Sequence, residues 1–376
     1  MLDHIQLAGF KSIKEMNLEL GSLNVLIGAN GAGKSNLIGF FQLLNYLMTG
    51  GLQLYIAENG YSDALLHFGA KRTPQMSATL KFSTPSGQNK YHFRLVSAAQ
   101  DTLIFADEAI SFTRTGSNKE APLVSLGSGH RESKLACDDL DISGDMKFEY
   151  NQKTAEVIKK IMQRWRVYHF HDTSKEARIK KQAYLHDNVY LKDDGGNLAA
   201  FLYSMKHNHK PYYDRIIKVI QSVAPFFGDF VLEPNVLNPN CIMLNWRERG
   251  KSTVFGPHQL SDGTLRFMAM ITLLLQPRLP EAIIIDEPEL GLHPYAIGVL
   301  AQIMKMVSRD TQIIISTQSV SLVDHFEPEH IIMVDRVKEQ SVFKRLTEAE
   351  LSHWLESYTI GELWEKNVLG GRPAWV

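Results

Sequence analysis

Residues Gly28-Ala29-Asn30-Gly31-Ala32-Gly33-Lys34-Ser35 fit the pattern G-x-x-x-x-G-K-[ST], a phosphate-binding loop. The flanks fit as well. Leu23-Asn24-Val25-Leu26-Ile27 is a short apolar run of the kind a buried strand gives. Asn36 to Leu47 is mostly apolar and long enough for a packed helix. Strand, glycine loop and helix is the arrangement that phosphate binding requires. Glycines let backbone N–H groups converge on phosphate oxygens, and the helix N-terminus adds partial positive charge. In this pattern Asn30, Gly31, Ala32, Gly33 and Asn36 surround a nucleotide's phosphates. Lys34 reaches the β- and γ-phosphates, and Ser35 ligates Mg²⁺.

The rest of the composition sets bounds. A chain of 376 residues is long enough for two domains or for one large α/β domain with an insertion. Forty basic side chains against 41 acidic ones leave no global basic footprint for nucleic acid, so any such contact must be a local patch. Cys137 and Cys241 are far apart and lack metal-ligand spacing, which suits a reducing cytoplasm. Met1-Leu2-Asp3-His4-Ile5-Gln6 has no apolar signal core. Nowhere is there an uninterrupted apolar span of membrane length, so no membrane partner is expected.

A second constellation lies far along the chain. Ala282-Ile283-Ile284-Ile285-Asp286-Glu287-Pro288 reads as a buried strand ending in two carboxylates, the place where α/β folds bind ligands. Asp286 suits a Mg²⁺ ligand, and Glu287 suits the catalytic group that orients and polarises an attacking water. Before it, Ser261-Asp262-Gly263-Thr264 is a good helix start, with Ser261 as N-cap and Gly263 allowing close approach. After it, Thr311-Gln312-Ile313-Ile314-Ile315-Ser316-Thr317-Gln318 is a further buried strand and its exit.

The order of these motifs resembles the RecF, SMC and OLD branch of ABC-type ATPases, well over residues 1–50 and 255–335 and loosely between. The resemblance implies a P-loop NTPase of α/β class: an ABC-type ATPase head with an antiparallel β lobe and an inserted helical lobe. It implies Mg²⁺-dependent hydrolysis of ATP to ADP and phosphate. Gly9-Phe10-Lys11-Ser12-Ile13 resembles the opening turn in which those families place a basic residue near the nucleotide, here Lys11. Leu260-Ser261-Asp262-Gly263-Thr264 resembles the signature Leu-Ser-Gly-Gly-Gln, with Asp262 and Thr264 as departures. In that superfamily the signature faces the γ-phosphate held by a second subunit, so Ser261 and Gly263 imply a head-to-head homodimer. Glu289-Leu290-Gly291-Leu292-His293-Pro294 resembles the loop that touches the partner subunit. Gln318 replaces the usual histidine at the switch position; glutamine hydrogen-bonds a γ-phosphate but cannot carry a proton, which points to slow turnover. Gln75 is a poor match to the glutamine that senses Mg²⁺.

Between the motifs, strands are expected at 76–82 and 90–96, joined by a Thr84–Asn89 turn, and as a pair at 102–105 and 108–113. Residues 115–145 read as surface loops, 152–164 as a helix, and 198–205 and 212–223 as two more. Segments of 1–114, 115–229, 230–350 and 351–376 are expected: two halves of the head around a mainly helical lobe, then a C-terminal helix and tail. His169, His171 and Asp172 read as a strand entering a turn rather than a metal site, because no fourth ligand has metal spacing. His207 and His209 read as part of a polar loop. Lys175, Arg178, Lys180 and Lys181 are the densest basic cluster, either a contact for nucleic-acid phosphates or a solvated helix face, the second being favoured. Leu351 to Trp364 is amphipathic and aromatic and reads as a helix docked on the head. Gly370 to Pro373 reads as irregular.

OLD nucleases continue into a Toprim domain, whereas this sequence ends about 40 residues after its last core strand. It therefore resembles the stand-alone ATPases of antiphage systems such as Septu, PARIS and some retrons, which control a nuclease or toxin subunit encoded beside them. The alternative is a RecF-like DNA-repair ATPase. A transport motor fits least.

Overall fold

The structure is a computed structural model that describes residues 1–117, 119–137 and 148–370. Parts of the 115–145 expectation, and Gly371 to Pro373, lie outside the described residues. The chain forms two compact units. The first comprises Met1–Arg166, Glu281–Ile284 and Thr311–Val376; the second comprises Val167–Pro280 and Ile285–Asp310. These boundaries differ from the four segments expected. The helix Phe148–Met162 packs on the P-loop helix and on the antiparallel sheet, and so belongs to the first unit.

Among the described residues the chain has two six-stranded sheets. One is antiparallel, in the order Ile13–Glu19, Leu2–Phe10, Gln75–Thr84, Gly87–Ala98, Thr102–Arg114, Val124–Gly127. Alternation is clear in Gln75–Thr84, where Met76, Ala78, Leu80 and Phe82 are buried and their neighbours less so. The expected pair at 102–105 and 108–113 is one continuous strand. Its pairing shifts register where Leu95 faces Phe105 and Arg94 faces Asp107. Ala106 is the extra residue of a bulge there, so the break in the apolar pattern that reads as a turn is absorbed within the strand.

The other sheet runs Gln340–Arg345, Ile331–Val337, Leu23–Ile27, Gln312–Thr317, Ala282–Asp286, Trp165–Tyr168. Leu23–Ile27 is fully buried and pairs in parallel with both neighbours, Ile313 opposite Leu23 and Ile331 opposite Val25. Continuous apolar runs, not alternating ones, are what such a position demands. The helix Lys34–Met48 that follows buries Leu37, Phe40, Phe41, Leu44 and Leu47. Phe40 meets Phe10 edge-on at 5.8 Å and Phe41 meets Trp165 at 5.7 Å. Each such ring stabilises the unit by about 1.5–3 kcal/mol on burial, so the start of the helix is firmly seated.

The C-terminal tail is two helices, Glu348–Leu355 and Ile360–Glu365, where one was expected. Thr359 and Glu362 form a reciprocal capping box that starts the second. Leu363 and Trp364 are buried there, and the Gly361 N–H donates to Asp324 Oδ1 at 2.7 Å. Trp354, in the first helix, and Tyr358, between the two, remain exposed.

The second unit is built on the helices Leu198–Asn208, Lys210–Val223, Asp262–Leu274 and Pro294–Val307. Tyr213, Ile216, Ile217 and Ile220 form the buried stripe of the second of these, at helical spacing. The expected His207–His209 loop shrinks to His209 alone, because the first helix runs on through Asn208. Two three-stranded sheets complete the unit. Among the described residues, no helix of the chain is long and apolar enough to cross a membrane.

Candidate functional site: a phosphate loop and a capped signature helix

In the first unit the loop after Leu23–Ile27 leads directly into the helix that begins at Lys34. Asn30, Gly31 and Ser35 are exposed, whereas Ala32, Gly33 and Lys34 are buried. Gly33 has φ +118, a left-handed backbone that side chains avoid, and a Cβ there would lie 2.0 Å from Ser341 Oγ. Only glycine suits that position. The Lys34 ammonium donates to the carbonyls of Gly28 at 2.6 Å and Ala29 at 3.1 Å, so it braces the loop from within.

Residues that no motif names hold this loop. Ser341 Oγ donates to the Ala32 carbonyl at 2.5 Å and lies 2.6 Å from Ser12 Oγ. The Ser341 N–H donates to the Ser12 carbonyl at 2.8 Å, and Asn36 Nδ2 donates to Ser12 Oγ at 2.6 Å. The opening turn, the phosphate loop and the strand Gln340–Arg345 thus share one half-buried knot. Asn36, expected beside the nucleotide, spends its side chain on that knot.

Lys11 has a left-handed φ of 45 and is held by its own backbone. Its N–H donates to Leu65 O at 2.8 Å and its carbonyl is 2.7 Å from His67 Nδ1. Burial pushes its ammonium pKa below the ordinary lysine value. The amine lies against the P-loop helix, where a Cβ on Gly39 would be 3.5 Å from Nζ. Gln75, the first residue of the interior strand Gln75–Thr84, accepts from Arg94 at 3.2 Å. Gln318 follows the strand Gln312–Thr317 directly and is exposed.

The acidic pair opens the second unit's last segment. Asp286 ends the strand Ala282–Asp286, and its carbonyl lies 2.8 Å from His171 Nε2. Glu287 has φ 42, a left-handed conformation that costs a non-glycine residue of order 1–3 kcal/mol. His171 is therefore a support for the acidic turn. Burial lowers the pKa of neighbouring His169, with the Asp286 charge opposing the shift.

The signature segment is a capped helix. Ser261 is the N-cap of Asp262–Leu274 and accepts from the Thr264 N–H at 3.2 Å. Gly263 is pressed on the loop at Gly291: a Cβ would lie 2.1 Å from the Gly291 carbonyl. Arg266 fastens the surroundings, donating to the carbonyls of Phe170, His171 and Leu290 at 3.1, 2.7 and 3.2 Å. His293 caps the next helix, its Nδ1 accepting from Tyr295 N–H at 3.3 Å.

The basic cluster at 175–181 is neither a helix face nor wholly solvated. Arg178–Lys180 is a single 3₁₀ turn in which Lys180 is buried. Its ammonium donates to the Thr173 carbonyl at 2.5 Å and to Asp262 Oδ1 at 3.0 Å. That bond holds the Asp262 carboxyl below the usual carboxylate range. Ser12, Ser341 and Arg266 carry no site signal in the sequence, and His171 and Lys180 stand out there only for other roles, because each acts through a partner remote along the chain.

The model of the AAA_21 family, described as "AAA domain, putative AbiEii toxin, Type IV TA system", matches residues 23–324. The chain belongs to this family. No curated protein matches it. The fold of this AAA_21 member is similar to solved SMC heads. One is an SMC head bound to the C-winged helix domain of ScpA (TM-score 0.61, 14% identity, 94% of this chain and 99% of that chain covered). Another is the Smc head domain with an extended coiled coil bound to the C-terminal domain of ScpA, from Pyrococcus furiosus (TM-score 0.52, 16% identity, 94% and 98% covered). The P-loop NTPase class and the ABC-type head expected from the motifs are therefore the fold of this AAA_21 chain.

Proposed function

We propose that the chain is a Mg²⁺-dependent ATPase whose heads pair through bound nucleotide, and whose ATP state controls a separate effector subunit, a nuclease or toxin of a defence system. The observation that carries the nucleotide reading is the braced loop at Gly33–Lys34, which presents the N-terminus of a well-packed helix. In this reading Lys34 leaves the Gly28 and Ala29 carbonyls for the β- and γ-phosphates. Asn30 to Ser35 supply N–H groups around them. Lys11 and Gln318 approach the nucleotide from the opening turn and the switch strand.

Ser35 and Asp286 offer a hydroxyl and a carboxylate, the hard oxygen donors that suit Mg²⁺. When bound, the ion would neutralise charge on the phosphates. Glu287 acts on the attacking water as general base. Ser261 and Gly263 face the γ-phosphate held by the other copy. Family membership and the SMC-like head support the fold side of this reading; the effector and the defence role rest on the motif resemblance.

The test is the mass of the purified chain in solution with and without Mg²⁺-ATP, using Glu287→Gln to hold the bound state. An ATP-dependent shift from monomer to dimer is expected. A monomer in both conditions would remove the composite-site reading. DNA-stimulated turnover would favour a repair ATPase over a defence regulator.

A further inference from the structure

Asp262 stands at the first position of the signature helix, where the motif it resembles has glycine. A carboxylate there suits the helix dipole but repels any phosphate brought to the same N-terminus. The structure contains an answer to that conflict. Lys180 lies 82 residues earlier in the chain, its side chain is only 8% exposed, and its ammonium sits 3.0 Å from Asp262 Oδ1. The Thr173 carbonyl, 2.5 Å away, fixes the same ammonium from the other side. Arg266 in turn bonds Thr173 Oγ1 at 3.1 Å, so Lys180 is held by a rigid frame. An open cavity of about 840 Å³ adjoins this pair, with Lys175, Lys181, His258 and Ser261 also on its wall. Lys181 is paired with Glu176 at 2.7 Å.

We propose that Lys180 is a positioning residue for the signature: it neutralises Asp262 and so lets the N-terminus of this helix accept the γ-phosphate carried by a second copy of the chain. The inference rests on the head-to-head reading above. It makes the Lys180–Asp262 pair a substitute for the missing glycine.

The experiment measures the ATP concentration that half-saturates dimerisation in a Glu287→Gln background, by light scattering, alongside ATP binding by a fluorescent analogue. Lys180→Met is expected to raise that concentration at least tenfold, because Asp262 then lacks its ion-pair partner. Adding Asp262→Asn to Lys180→Met should restore it to within about threefold of the parent. Asp262→Asn alone removes the repelling charge and leaves Lys180 bonded to the Thr173 carbonyl, so it should dimerise at equal or lower ATP. A merely structural role for Lys180 predicts the opposite: Asp262→Asn would weaken dimerisation and would not rescue Lys180→Met. That pattern, or unchanged dimerisation in Lys180→Met, overturns the inference and leaves the ATPase reading standing. A parent chain that binds ATP and stays monomeric would overturn the head-to-head reading and this inference together.

Discussion

The molecule presents two helix N-termini suited to phosphate, and they are built differently. At Lys34 the proposed anion site is made by backbone: a glycine with φ +118, exposed loop residues, and an ammonium that braces the loop carbonyls. At Asp262 it is made by side chains: a serine cap, and a carboxylate whose charge is countered by a buried lysine. The first design needs consecutive residues and tolerates little change. The second distributes the same task over residues 82 positions apart, so a change at one can be offset at the other while charge balance is kept. Backbone sites should therefore fail abruptly on substitution, and the side-chain site should fail in ways that a second substitution can repair.

The largest expected effect is at the backbone site. Lys34→Ala removes the charge that braces the loop and, in the proposed function, meets the phosphates. ATP affinity should fall at least 100-fold, which is about 2.8 kcal/mol. Calorimetric titration with Mg²⁺-ATP checks it, and near-parental affinity would break the comparison at its first term. Glu287→Gln should retain binding while turnover falls by about 100-fold or more, the range of a lost general base. Parental turnover by that variant would sink the role assigned to Glu287.

How much of this was legible follows from the same contrast. The phosphate loop, the acidic strand end and the Ser261 cap are contiguous, so local spacing carries them. The central strands were readable too, because Val25–Ile27 and Ile313–Ile315 are continuous apolar runs, as burial on both faces demands. What stayed hidden depends on tertiary proximity. Nothing about Ser341 marks it as a partner of Ala32, and nothing about Ser12 marks it as a partner of Ser341. A run of four basic residues does not reveal that Lys180 is buried while Lys181 is not. The break in the C-terminal tail was readable: Thr359-x-x-Glu362 is a capping box that an amphipathic pattern overrode.

Two glycines sharpen the comparison at intermediate effect. Gly33→Ala places a methyl 2.0 Å from Ser341 Oγ on a left-handed backbone, and Gly263→Ala places one 2.1 Å from the Gly291 carbonyl. Each forces a shift that costs about 1–3 kcal/mol. Their readouts should separate. Gly33→Ala should fall on ATP affinity, by tenfold or more. Gly263→Ala should fall on ATP-dependent dimerisation, since the group displaced is the loop at Gly291. If both variants lose ATP affinity equally, the two helix starts do not serve different steps.

The smallest expected effect tests whether the backbone site depends on its knot. Ser341→Ala deletes the donor to the Ala32 carbonyl and the contact with Ser12. A buried acceptor left unpaired costs about 1–3 kcal/mol, part of which the loop recovers by shifting toward water. The lysine, the glycines and the helix remain, so ATP affinity should fall only about three- to tenfold. Amide exchange at Gly33 and Lys34 should rise, because the loop samples more conformations before ligand arrives. Affinity and exchange both at parental values would mean that the loop is rigid from its own sequence and that Ser341 only fills space. A loss as large as that of Lys34→Ala would mean the reverse: the phosphate loop, legible as it is, holds its shape only because a strand more than 300 residues away completes it.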